Sequence, residues 1–440
     1  MKRRKIPNQP KIRVWKAQEL PPDWFRRTRV LDESTVESIE NDVKAIISEV
    51  KKNGDTAVAG FTEKFDKAKV EPKNLRVTRR EIAKAYRMVT EGQVSALKLL
   101  KERVSSFEKL VLKQIEIATS ARGITIQNML FPIESVGCYV PGGQAAYPST
   151  VVMTAVPAKA AGVPRIVVCS PPNKDGKFNP LVLVAADICE VDEVYKVGGV
   201  QAIAALAYGT DLVKSVKKIV GPGNKYVTMA KVLVSKDVAI DMPAGPTEIL
   251  VIADETANPK FVAADMVSQA EHGPDSVAGL ITTSKKLADE VANCLKKMTA
   301  SAERRTIIGK ALAECGFIIL CNTVDEMIAL ANVFAPEHLE IMTQNPLEIV
   351  DKVTSAGLIL VGPYSPVSLS DYGSGTNHVL PTGGFAHAFS GLSALDFARR
   401  VNVVDCSKEG LLALKDHVEV MTKAENLPSH YKAVEARFEE

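Results

Sequence analysis

The chain has 440 residues, 46% hydrophobic and only 5% aromatic, which suits an aliphatic α/β enzyme with two or more cores. Its 55 basic and 52 acidic residues leave a net charge of +3, too balanced for a nucleic-acid or polyanion partner. The basic start MKRRK leads into polar residues, and no window approaches the roughly 18 uninterrupted apolar residues of a membrane span, so a cytoplasmic protein with no membrane partner is expected.

In chain order, residues 34–51 space apolar side chains three and four apart, as a helix does, and Asn53-Gly54 is the expected stop. A second helical pattern occupies 78–118. From about residue 133 short β-branched runs (ESVGCYV, RIVVCSPP, EVYKVGG, KKIVGPG) alternate with Ala-rich helical stretches. Such alternation implies βαβ units and a parallel sheet. A second series follows Asp241: TEILVIAD, a helix ending in SQAEHG, VAGLITTS, GFIILCN, a further helix and GLILVGP. Two series imply two similar α/β lobes facing a cleft, with ligands expected beyond the carboxyl ends of the strands. The last fifty residues read as two or three helices.

Glycine-rich turns cluster in the first series: YVPGGQAAYPS (139–149), VGGVQA (197–202) and GPGNKYV (221–227). Glycine lets a backbone approach a phosphate closely, and a following helix offers free N–H groups, yet ordinary tight turns would read the same. Seven cysteines without C-x-x-C spacing argue against disulfides and thiolate zinc fingers. Histidine is more informative, since only six occur. His272, His338, His378 and His430 lie beside carboxylates or amides, in QAEHG, APEHLE, DYGSGTNHVLP and AENLPSH. Gln269 and His272, at i and i+3, share one helix face and suit either a divalent ion or a polar helix end. Glu337 and His338 form either a proton-transfer pair on a loop after the Ala-Pro turn or the start of a helix.

The ordered motifs YVPGG-x-AAYPSTV, VGG-x-QAIAALAYGT, IVGPGN-x-YV, AGP-x-E-x-LVIAD, SQAEHGPDS, APEHLE and DYGSGTNHVLPTGG, with E-x-x-x-x-H near the end, resemble the histidinol dehydrogenase family from about residue 30 onward. The resemblance implies a zinc-dependent oxidation of L-histidinol to L-histidine through the aldehyde, with two NAD, as the last steps of histidine biosynthesis. It implies zinc ligands at Gln269, His272, Asp371 and His430, a water-activating base at Glu337 and an acid–base group at His338. The substrate would be bound by Thr247, Gln269, His272, His338, Asp371, His378, Glu425 and His430, and NAD by Tyr139, Gln201 and Asn224. An intertwined homodimer is implied, with Glu425 and His430 serving the partner's site.

The implied organisation is an N-terminal arm at 1–30, a first α/β domain at 31–138 and 248–392 carrying most catalytic and metal residues, an inserted α/β domain at 139–247 carrying the NAD site, and a C-terminal helical tail at 393–440. The fold class is thus two Rossmann-like lobes with parallel sheets facing a cleft, plus a helical N-terminal region and tail. Thr247 stands where the biosynthetic enzymes usually have serine, so a related dehydrogenase of another small polar alcohol, such as sulfopropanediol, is the second reading. Glu425 opposes it, because a carboxylate favours an ammonium over a sulfonate.

Overall fold

The computed structural model describes residues 12–21, 24, 33–115, 117–142 and 146–439. Two parallel sheets form the two lobes. The larger has six strands, in spatial order Arg13–Lys16, Phe317–Leu320, Val277–Thr282, Glu248–Ala253, His338–Met342 and Leu358–Val361. The smaller has five, in the order Glu193–Lys196, Ile166–Ser170, Val136–Tyr139, Lys218–Val220 and Ala239–Ile240. Setting aside Arg13–Lys16, both sheets run third, second, first, fourth, fifth in chain order, the doubly wound arrangement whose direction reverses between first and fourth strands. The central strands are buried on both faces: all six residues of Glu248–Ala253 and all six of Val277–Thr282 are inaccessible, which explains their nearly continuous apolar sequences.

The structure corrects several expected boundaries. The chain does not leave its helix at Asn53-Gly54. The helix Glu33–Asp66 bends at Gly54, whose positive φ of 51° takes the backbone out of helical geometry for one residue, and then continues. Residues 31–138 were expected to share a core with 248–392, but their helices cover the smaller sheet. Val43, Val50 and Val58 meet helix Gly199–Tyr208, while Leu97, Leu100 and Val104 of helix Glu91–Lys113 join the core of helix Pro148–Ala160. The smaller lobe also begins before residue 139, since Val136–Tyr139 is its central strand. Within the expected N-terminal arm, Arg13–Lys16 extends the larger sheet beside Phe317–Leu320.

The C-terminal segment is not wholly helical either. Ala398–Cys406 pairs antiparallel with Ile124–Pro132, which pairs with Ala118–Ala121, making a third sheet. Helices Lys408–Ala424 and Pro428–Glu435 follow.

Candidate active site

An acid–base cluster lies at the amino edge of the larger sheet, where the carboxyl edge had been expected. Residues 336–338 form neither a loop pair nor a helix start: His338 opens the strand His338–Met342, in register with Ile249 of the neighbouring strand. Glu337 Oε2 accepts from the Glu248 backbone N–H at 2.7 Å and from the Thr247 hydroxyl at 2.6 Å. Hydrogen bonds to a charged acceptor are worth about 1.5–3 kcal/mol each, so Oε2 is fixed and Oε1 is left for chemistry. The Thr247 hydroxyl in turn accepts from the Gln269 amide. The extra methyl of threonine therefore leaves the hydroxyl engaged between Glu337 and Gln269.

His338 is 2% exposed, and its Nδ1 lies 3.1 Å from the Glu248 carbonyl. A carbonyl can only accept, so Nδ1 carries the proton and, in the neutral ring, Nε2 bears the lone pair. That Nε2 is buried and has no hydrogen-bond partner among the described residues. Burial pushes the ring's pKa down, but the adjoining Glu337 carboxylate outweighs it, helped by Asp371 and the Glu248 carbonyl, and the net shift is upward.

Helix Pro259–Ala270 ends beside this cluster. Its last turn presents the buried Gln269, with His272 just beyond the end, while Glu271 is exposed at the C-cap. Loss of water around the His272 ring lowers its pKa, against the pull of Asp371 and Glu337. Asp371, near the end of helix Val367–Tyr372, holds His378 Nδ1 at 3.2 Å. Burial would raise the Asp371 pKa, but His378, His338 and His272 around it bring it below the ordinary carboxylate value.

His378 also reaches the smaller lobe, its Nε2 lying 3.4 Å from the Thr150 hydroxyl on helix Pro148–Ala160. The neighbouring Asn377 donates its amide to the Met153 carbonyl at 2.7 Å. That carbonyl is free because Pro157, four residues on within the same helix, has no N–H to give it.

A second cluster occupies the carboxyl edge of the smaller sheet. Tyr139 ends the central strand, and its buried hydroxyl accepts from the Gly199 N–H at 3.1 Å. Gln201 is 1% exposed, yet neither polar atom of its amide has a partner among the described residues. Asn224 caps helix Lys225–Val234, its Oδ1 accepting from the Tyr226 and Val227 N–H groups. Gly221 adopts φ 115°, and any Cβ there would run into the Tyr139 carbonyl, so only glycine lets these two turns meet. Of the turn 139–149, residues 143–145 lie outside the described residues.

The structure thus gathers Thr247, Gln269, His272, Glu337, His338, Asp371 and His378 around one edge and Tyr139, Gln201 and Asn224 around the other. Glu425 and His430 are not brought in. Both are exposed at the junction of the two tail helices and make no side-chain hydrogen bond or ion pair with the other site residues among those described. Among the described residues no three His, Cys, Asp or Glu side chains are placed to hold a metal. Thr150, Asn377 and the Glu248 carbonyl were not foreseen, although all three residues lie inside the quoted motifs AAYPSTV, GTNH and AGP-x-E. Cys138 is a free thiol, and burial pushes it up to about 12, removing it as a nucleophile.

The family model described as "Histidinol dehydrogenase" matches residues 30–438. The chain belongs to the histidinol dehydrogenase family. A histidinol dehydrogenase of Methanocaldococcus jannaschii is 45% identical over 426 residues, covering 97% of this chain and 98% of its own. One from Archaeoglobus fulgidus is 48% identical, covering 90% and 95%. The crystal structure of histidinol dehydrogenase from Elizabethkingia anophelis superposes with a TM-score of 0.90 at 37% identity, over 97% of this chain and 98% of that one. The two-lobed α/β fold is therefore that of the histidinol dehydrogenase family. No helix among the described residues is long and apolar enough to cross a membrane.

Proposed function

We propose that this chain oxidises L-histidinol to L-histidine in two successive NAD-linked steps, with one zinc ion per subunit, in the cytoplasm. His338 carries the reading: a buried ring whose Nδ1 is committed to a carbonyl and whose Nε2 has no partner among the described residues, next to a carboxylate whose hydrogen bonds among those residues all fall on Oε2. Two different proton-transfer groups suit this reaction, because the substrate must twice lose a proton and once gain water. In the first step His338 Nε2 accepts the alcohol proton as hydride leaves the carbon, giving the aldehyde. Glu337 Oε1 then takes a proton from water as the water oxygen adds to the aldehyde carbon, and His338 returns its proton to the former carbonyl oxygen, which gives the hydrate and a neutral ring. In the second oxidation His338 accepts the hydrate's proton as the second hydride leaves, giving the acid.

NAD supplies the hydride acceptor, and Tyr139, Gln201 and Asn224 would hold it. The unpartnered buried amide of Gln201 and the Gly221 turn support that assignment. Zinc, when bound, polarises the substrate oxygen and steadies negative charge on it. Gln269, His272 and Asp371 supply an amide, an imidazole and a carboxylate, a donor set that fits zinc and lacks one member. We assign the fourth to His430 of a second copy, whose Glu425 would meet the substrate ammonium, while Thr247, His378 and the ligand residues line the rest of the substrate site. Exposed Val404, Leu412, Val420, Met421 and Leu427 on the C-terminal segment support its burial in a homodimer.

The test is to incubate the zinc-loaded protein with L-histidinol and NAD. Two NADH per substrate are expected. No turnover there, with turnover on a sulfonated diol, would overturn the reading. His272→Ala should lower bound metal in elemental analysis.

A further inference from the structure

We propose that Asp265 and Glu340 are positioning residues that share one proton behind the catalytic cluster, tying the strand of His338 to the helices of Gln269 and Asp371. This rests on the assignment of those residues given above. Strand alternation puts His338, Glu340 and Met342 on one face of His338–Met342. Helix Pro259–Ala270 packs on that face through Val262 and Met266, and Val367 joins the same core. Asp265 lies one helical turn before Gln269, and Val367 one turn before Asp371.

Glu340 is 1% exposed and Asp265 8% exposed, and their carboxyl groups are within hydrogen-bonding reach of each other. Glu340 Oε1 accepts from the Val367 N–H at 3.1 Å, while Oε2 is buried and has no donor. Among the described residues no cation acts on either group; each is the only charged side chain facing the other. Two buried carboxylates without a cation cannot both be ionised, and one shared proton resolves the conflict. Burial, then the facing Asp265, holds Glu340 well above the ordinary carboxylate range, whereas Asp265 is raised only to about 6, burial outweighing its bond from Glu340. Since Oε1 is taken by the Val367 N–H, the shared proton lies between Glu340 Oε2 and Asp265, and the orphaned oxygen acquires a partner. The resulting bridge runs from the Asp265 helix through Glu340 to the N-terminus of the Asp371 helix.

Glu340→Gln keeps both contacts, since an amide can donate to Asp265 and accept from Val367. Glu340→Met keeps the volume and removes both. The infrared difference spectrum of zinc-loaded wild-type protein minus Glu340→Gln should show one carboxylic-acid C=O stretch, with the band of the buried Glu108 cancelling because both proteins carry it. Because Glu340 has the higher pKa folded than unfolded, the unfolded chain loses its proton first, and stability falls as pH rises between the two values. Glu340→Gln should remove that slope and shift the alkaline limb of kcat upward, while restoring the activity that Glu340→Met loses. Glu340→Met should cut kcat roughly tenfold or more with KM for NAD unchanged, as loss of such support typically does. A difference spectrum without an acid band, or wild-type kcat and alkaline limb in Glu340→Met, would overturn the proposal. If Glu340→Met does not fold, the band and the limb of Glu340→Gln decide alone. Failure to oxidise L-histidinol would leave the infrared and stability tests intact, so the two readings fail separately.

Discussion

The two sheets share one strand order and use the same pair of strands, first and fourth, at opposite ends. In the smaller sheet the functional turns follow Tyr139 and Val220 at the carboxyl edge, where helices Gly199–Tyr208 and Lys225–Val234 begin. In the larger sheet Thr247 and Glu337 precede their strands, and helix Pro259–Ala270 delivers Gln269 and His272 from its end. Helix beginnings carry partial positive charge and unpaired N–H groups, which suit a dinucleotide's phosphates; helix ends carry the opposite sign, which suits a metal ion or a substrate ammonium. One topology thus presents two kinds of edge, one suited to an anion and the other to a cation.

The contrast can be broken most severely at the amino edge. His338→Ala should reduce kcat by about 10²–10⁴, the usual contribution of a positioned base, while NAD affinity measured by calorimetry stays unchanged. Equal loss of both would mean that the edges do not divide the labour. Glu337→Gln should spare alcohol oxidation and impair oxidation of supplied aldehyde, compared in separate assays. The same variant removes the carboxylate that raises the His338 pKa, so that pKa should move down in a histidine NMR titration of metal-free protein. At the carboxyl edge, Gly221→Ala should raise KM for NAD about tenfold, since strain at a positive φ costs of order 1–3 kcal/mol, and leave zinc content untouched. The smallest effect is expected at the joint between the lobes: Pro157→Ala gives Met153 a competing donor and should lower kcat/KM a few-fold, in line with a net hydrogen bond of about 0.5–1.5 kcal/mol.

Sequence patterning revealed the parallel strands because each is buried on both faces and so carries an unbroken apolar run, as in TEILVIAD and VAGLITTS. It missed His338–Met342 because a histidine and a glutamate interrupt that run. Both are tolerated indoors for reasons three-dimensional in origin, the Glu248 carbonyl for one and the Asp265 carboxyl for the other. The third sheet escaped for the opposite reason. Ala398–Cys406 and Ile124–Pro132 are largely exposed and lack an apolar face in this chain, so no period of two marks them. Which edge of the larger sheet is used was equally illegible, because strand polarity relative to a cleft is a property of assembly. The polar motifs themselves were plain: Gln269, His272, Glu337, His338, Asp371 and His378 are neighbours in space although up to 109 positions separate them, counting from Gln269 to His378.

Pro157 gives the joint between the lobes a mechanical character. An interlobe joint made from surface side chains could slide without disturbing either interior. Here the docking point is a main-chain carbonyl in a helix buried on all sides, with Asn377 seated on it and His378 next in the chain. Any rocking of one lobe against the other must therefore break or drag a bond made to the interior of the smaller lobe, and the imidazole beside that anchor, although it stands outside any helix or strand, is tied to a buried helix through its neighbour.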